Sequence, residues 1–169
     1  GIVLRGSGRE TILEASGQDR ETFIRIEGEN DRHLSPPVAI RDEYVPVGAS
    51  HLRVGDPSGF KKGSLVVIHR PSVQEWIETL GVDGYGGETG WLKWKPGQRD
   101  VSWERTVLDI RGDTLVLDAP LTTAIDANFG GGYVSALDWP GRIERIGVEN
   151  LQLISWYDQD NPKDEAHCW

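Results

Sequence analysis

Residues 142–155 read Arg142-Ile143-Glu144-Arg145-Ile146-Gly147-Val148-Glu149-Asn150-Leu151-Gln152-Leu153-Ile154-Ser155. Apolar side chains at Ile143, Ile146, Val148, Leu151, Leu153 and Ile154 fit short strands interrupted by a polar corner at Glu149 and Asn150. This is the pattern of one coil in a stacked β architecture. The chain opens on a similar unit: GIVLRGSGRETILEAS sets Ile2 and Leu4, then Ile12 and Leu13, on either side of a glycine-bearing turn at Gly6 to Gly8. A coil of this kind cannot bury its apolar face alone, so it needs neighbours stacked above and below it.

The two stretches resemble the pectate-lyase-like right-handed parallel β-helix superfamily, where GIVLRGSG followed by TIL is typical of a first coil and GVENL of a turn in a later one. The resemblance implies that fold and a habit of acting on sugar polymers. For β-helix polysaccharide lyases it implies a Lys, Arg or His base that abstracts the proton α to a uronate carboxylate, with Ca²⁺ or Arg neutralising that carboxylate. For β-helix glycosidases it implies paired carboxylates working as acid and as nucleophile or base.

The chain has 169 residues, 37% of them hydrophobic, which is enough for a real core and excludes wholesale disorder. The net charge of −9 argues against a nucleic-acid partner, because phosphate binding rests on clustered Lys and Arg. Cys168 is the only cysteine, so no intrachain disulfide is available. No stretch approaches the roughly twenty apolar residues that span a bilayer, and no basic segment followed by an apolar one opens the chain. With methionine absent and the chain closing on Ala166-His167-Cys168-Trp169, the expectation is a processed or excised piece of a longer secreted protein.

Between the coils the pattern changes. Thr22 to Gly28, TFIRIEG, reads as a further strand, then a charged loop from Glu29 to Pro37 leads to a strand near Val38 to Arg41. The runs VPVGASHLRVGD, GSLVVIHR, RTVLDIRG and DTLVLDAPL, joined by tight glycine turns, predict a small antiparallel barrel or sandwich. Arg111-Gly112-Asp113 is a hairpin signal that places Leu108, Ile110, Leu115 and Leu117 on a buried face. A helix over 72–80 is predicted, with Ser72 as N-cap, Glu75 as capping-box partner and Gly81 as its stop; Val73, Trp76, Ile77 and Leu80 form its apolar face. Val82 to Asp100 reads as a long Gly- and Trp-bearing loop, and Gly130 to Gly132 as the return to the coils.

The expected architecture is mainly β. It comprises first β-helix coils over 1–44, an inserted β-rich subdomain over 45–121, and a return to coils over 122–169. Its chemistry is sought in three places. Asp158, Asp160 and Asp164 offer hard oxygen donors for Ca²⁺, with a solvated acidic loop as the alternative. Glu165 and His167 share a face if strand-borne and could serve a lyase or a glycosidase. Trp91 and Trp94 could stack on pyranose rings, whereas Trp103, among alternating strand residues, is expected in the core. The histidines lack partners at metal-ligand spacing, so no zinc site is expected. GSGRET lacks the lysine of a P-loop, so no nucleotide site is expected either.

The function expected is that of an extracellular carbohydrate-active β-helix protein, lyase or glycosidase, whose partner is a polysaccharide or glycan. The competing expectation is a non-catalytic structural or adhesive module that self-assembles through open coil ends, since uncovered strand edges template pairing.

Overall fold

The computed structural model describes residues 1–17, 22–86, 92–157 and 160. The first coil is β1 (Ile2–Arg5), a 3₁₀ turn at Gly8–Glu10 and β2 (Ile12–Ala15). An insert follows with β3 (His33–Leu34), β4 (Val38–Ala39), β5 (Tyr44–Val45), β6 (His51–Arg53), β7 (Leu65–Arg70), helix α1 (Gln74–Thr79), β8 (Val101–Arg111), β9 (Thr114–Leu117), β10 (Ile125–Asp126) and β11 (Tyr133–Asp138). The second coil is β12 (Ile146–Glu149) and β13 (Gln152–Ser155). Two compact units result, Gly1–Asp31 with Pro140–Trp169, and Arg32–Trp139.

In the first unit, β1 pairs in parallel with β12 from Ile2↔Ile146 to Arg5↔Glu149, and β2 in parallel with β13 from Ile12↔Gln152 to Ala15↔Ser155. Each strand of one coil lies in register on its counterpart in the other, the relation between successive turns of a parallel β-helix. The polar corner forms as its residues suggest: Asn150 takes φ 54°, the left-handed region that Asn tolerates. Gly6 donates its N–H to Glu149 O at 3.0 Å, and a Cβ on Gly6 would collide with the Asn150 carbonyl oxygen, so only glycine fits. Arg5 and Glu149 form an ion pair across the two coils. Thr22 to Gly28, expected as a strand, is irregular, because its apolar pair Phe23-Ile24 breaks the two-residue period and no described strand offers it a ladder.

The second unit is built on a seven-stranded sheet of order β3-β11-β7-β8-β9-β6, with β4 also paired to β11, and every pairing in it is antiparallel. Of the expected barrel or sandwich, a closed barrel does not form among the described residues. An isolated bridge between Ile40 and Val54 links the stretch after β4 to that after β6, and β5 with β10 makes a separate two-stranded piece. The core gathers Leu52, Val54, Val66, Ile68, Trp103, Val107, Leu115, Leu121 and Ile125.

Several expectations change for local reasons. The insert reaches from Arg32 to Trp139 rather than 45–121, because β3, β4 and β11 pair within its sheet; Gly130 to Gly132 therefore leads into β11, not into a coil. The hairpin at Gly112 forms, but a bulge between Val107 and Asp109 shifts the register and turns Leu108 out to 49% exposure while Val107 is fully buried. Helix α1 has Val73 at its N-cap, whose side chain makes no cap, so the predicted capping box of Ser72 and Glu75 does not form. Its end follows the prediction: Gly81 at φ 68° donates to Glu78 O and Val82 donates to Ile77 O, a Schellman closure. Ile77 is buried, whereas Leu80, expected on the same face, is 50% exposed.

Candidate functional site

Strand β7 decides where chemistry can sit. Its residues alternate, Val66, Ile68 and Arg70 being buried on one face while Leu65, Val67 and His69 lie half-buried on the other. Its neighbours extend the second face into two rows. Tyr133, His69 and Ser102 stand opposite one another across β11, β7 and β8, and the next row is Ser135, Val67 and Glu104. With Arg32 and Leu34 these residues line a groove of about 280 Å³, near the lower bound of roughly 300 Å³ for small-molecule sites.

Within the groove the Tyr133 and His69 rings stack at 4.6 Å between centroids, 23° from parallel. His69 Nδ1 lies 3.0 Å from Ser102 Oγ, and its Nε2 lies 3.1 Å from Asp100 Oδ2. The other carboxylate oxygen of Asp100 accepts from the Ser72 N–H and the Ser72 hydroxyl, both at 2.7 Å. Burial pushes the Asp100 pKa up, but the two hydrogen bonds from Ser72 and the charge and hydrogen bond of His69 outweigh it, leaving the carboxyl below the usual range. Asp100 is therefore an anion that fixes the His69 ring, and the imidazole can pass a proton to or from Ser102. Ser135 is 4% exposed and its hydroxyl makes no hydrogen bond within the described residues, so it is a polar group turned toward the groove with capacity to spare.

The residues singled out from the sequence fall elsewhere. Trp91, Asp158, Asp164, Glu165 and His167 lie outside the described residues. Trp94 is half-buried; it stacks on Trp76 with centroids 5.8 Å apart and carries the Arg99 guanidinium 4.9 Å above its ring. Asp160 is described, and among the described residues no three His, Cys, Asp or Glu side chains converge as a metal site requires. Trp103 is buried as expected, its Nε1 donating to Thr122 Oγ1 at 2.8 Å. Sequence reasoning missed the His69, Ser102 and Asp100 line. Asp100 and Ser102 at i and i+2 share a strand face, but their meeting with His69 depends on the β7–β8 register, set across a helix and a long loop.

No protein-family model matches the chain, and no curated protein matches it. Solved structures it is similar to include phage tailspikes. One is the Gp54 tailspike of Acinetobacter baumannii bacteriophage AP22, in complex with A. baumannii capsular saccharide, at 11% identity and TM-score 0.43 over 75% of this chain and 17% of that one. Another is the tailspike gp61 of Pseudomonas phage phi297, at 14% identity and TM-score 0.43 over 90% of this chain and 21% of that one. The chain thus spans about a fifth of the length of these tailspikes.

Proposed function

We propose that the chain belongs to a right-handed parallel β-helix protein of pectate-lyase-like type and that its insert binds a glycan in the groove over β11, β7 and β8. The carrying observation is the pair of rows Tyr133–His69–Ser102 and Ser135–Val67–Glu104. Flat rings accept the apolar C–H face of a sugar, and hydroxyl, carboxylate and imidazole groups spaced along a sheet meet its hydroxyls. The right hand follows from chirality, since parallel crossovers are right-handed in nearly all cases. Capsular saccharide is bound by the Acinetobacter phage tailspike; for this chain an acidic or neutral surface polysaccharide is the proposed partner class, met outside the cell.

The test is titration of the chain with an oligosaccharide panel by calorimetry. Tyr133→Ala should weaken binding about tenfold, the scale of an aromatic contact of about 1.4 kcal/mol, without changing the far-UV circular dichroism. Unchanged affinity in that variant sinks the groove assignment. Lyase or glycosidase action by Glu165 and His167, stacking by Trp91 and Trp94, and calcium at Asp158, Asp160 and Asp164 extend the same proposal. Product analysis of digested polymers and metal analysis of the purified protein check them. A structural module that self-assembles is the competing proposal, tested by the mass of the protein in solution.

The Ser102–His69–Asp100 line favours a second reading, hydrolysis of ester groups carried by a glycan. Ser102 Oγ would attack the acyl carbon while His69 takes its proton; His69 then protonates the leaving sugar hydroxyl, and water releases the acyl group. A fluorophosphonate should label Ser102, and not in His69→Ala; an unlabelled Ser102 removes this reading.

A further inference from the structure

The alternation that turns His69 toward the groove turns Arg70 the other way, at the end of the inner row Val66, Ile68, Arg70. Arg70 is 7% exposed and forms one wall of a separate hollow of about 440 Å³ that it shares with Tyr44, Trp76, Arg99 and Phe129. Its guanidinium sits 4.3 Å above the Trp76 ring. Among the described residues no carboxylate reaches ion-pair distance of Arg70 and no hydrogen bond engages its five donors. Asp100 acts on it through space, but both Asp100 oxygens are held by Ser72 and His69. A guanidinium taken out of water with no counter-charge against it is costly, and an anion in the hollow offsets that cost.

A second cation lies on the same wall. Arg99 is held over Trp94, which stacks on Trp76, so the two indoles place both guanidiniums. Tyr44, 57% exposed, and Phe129 supply an apolar wall. Asp126 also lines the hollow, but its Oδ1 is taken by the Asn128 N–H at 2.8 Å. A planar fork favours a carboxylate, which it binds through two parallel hydrogen bonds. We propose that this hollow binds the carboxylate of an acidic sugar residue, with Arg70 as its principal partner, Arg99 as a second donor, and Tyr44 and Phe129 against the ring. The sugar ring rests on the glycan-binding reading; the anion rests on Arg70.

The test follows tryptophan fluorescence of the chain with three probes: trigalacturonate, a neutral galactose trisaccharide, and benzoate. Trigalacturonate should bind about tenfold more tightly than the neutral trisaccharide, the effect of one charge-assisted contact, and added salt should shrink that preference. Arg70→Gln should abolish the preference, and Arg99→Gln, on a more exposed side chain, should reduce it several-fold even if the first variant does not fold. Equal affinity for the two trisaccharides, or a preference that survives Arg99→Gln unchanged, overturns the proposal. Benzoate binding that Arg99→Gln weakens, with neither trisaccharide bound, removes the glycan reading and keeps the anion site.

Discussion

Ser72 illustrates how one hydroxyl can join two segments, the entry to α1 and residues 97–100 before β8. It is 1% exposed, donates to Asp100, and accepts from the N–H groups of Gly97 at 3.1 Å and Arg99 at 3.0 Å. Removing that oxygen strands the Arg99 N–H and takes one of two hydrogen bonds from Asp100 Oδ1, while the Gly97 N–H keeps the Ser72 carbonyl at 3.0 Å. Ser72→Ala should cost about 2 kcal/mol, read from the urea midpoint. Asp is an equally good helix cap, so Ser72→Asp would be tolerated if capping were the role; with a second carboxylate set against Asp100, it should be worse than Ala. Asp100 gives a pH signature. Its folded pKa is depressed, so its contribution is complete above the unfolded value of about 4 and is lost as pH falls through the folded value. The stability gap between the native chain and Asp100→Asn should therefore narrow below about pH 4; a gap constant down to pH 2.5 would assign the effect to another group.

At the scale of elements, alternation along β7 does most of the positioning. Six residues separate a groove on one face from a cation-lined hollow on the other, and a slip of one residue would exchange His69 and Arg70. Helix α1 is too short to persist alone and exists because Ile77 is buried beneath it. The β8–β9 hairpin depends on Gly112 at φ 62°, with open space around the site of a Cβ. Only backbone strain is then at stake. Gly112→Asn should cost a few tenths of a kcal/mol and Gly112→Val about 1–2 kcal/mol, compared by thermal melts. Equal losses would mean that the turn is set by something other than its left-handed residue.

At the scale of the molecule, the insert begins and ends at one place: His33 pairs with Asp138, so its two termini run side by side. Its core draws only on residues between Val38 and Ala136. Arg32–Trp139 expressed alone should therefore melt cooperatively and keep the near-UV dichroism of its buried Trp103; a fragment without fixed near-UV signal would show that the core needs the coils. The coils are differently built. Ile2 is 74% exposed, Ile12 52% and Leu153 48%, the apolar surface that coils of this kind cover by stacking on further coils.

What the sequence determined by itself was local. The corner at Asn150, the stop at Gly81, the hairpin at Gly112 and the burial of Trp103 each follow from a residue's own backbone freedom or from the period of its neighbours. The stacking of the two coils was legible too, because each repeats the other's pattern. Only the tertiary structure decided the insert's limits, the bulge that exposes Leu108, and the place of Ser72 as a buried junction rather than a cap. It also made the candidate sites. His69, Ser102 and Tyr133 come from three strands whose register is set by core packing, with Asp100 just before β8, and among the described residues Arg70 has no ion-pair partner through where the sheet places it, not through its neighbours in sequence.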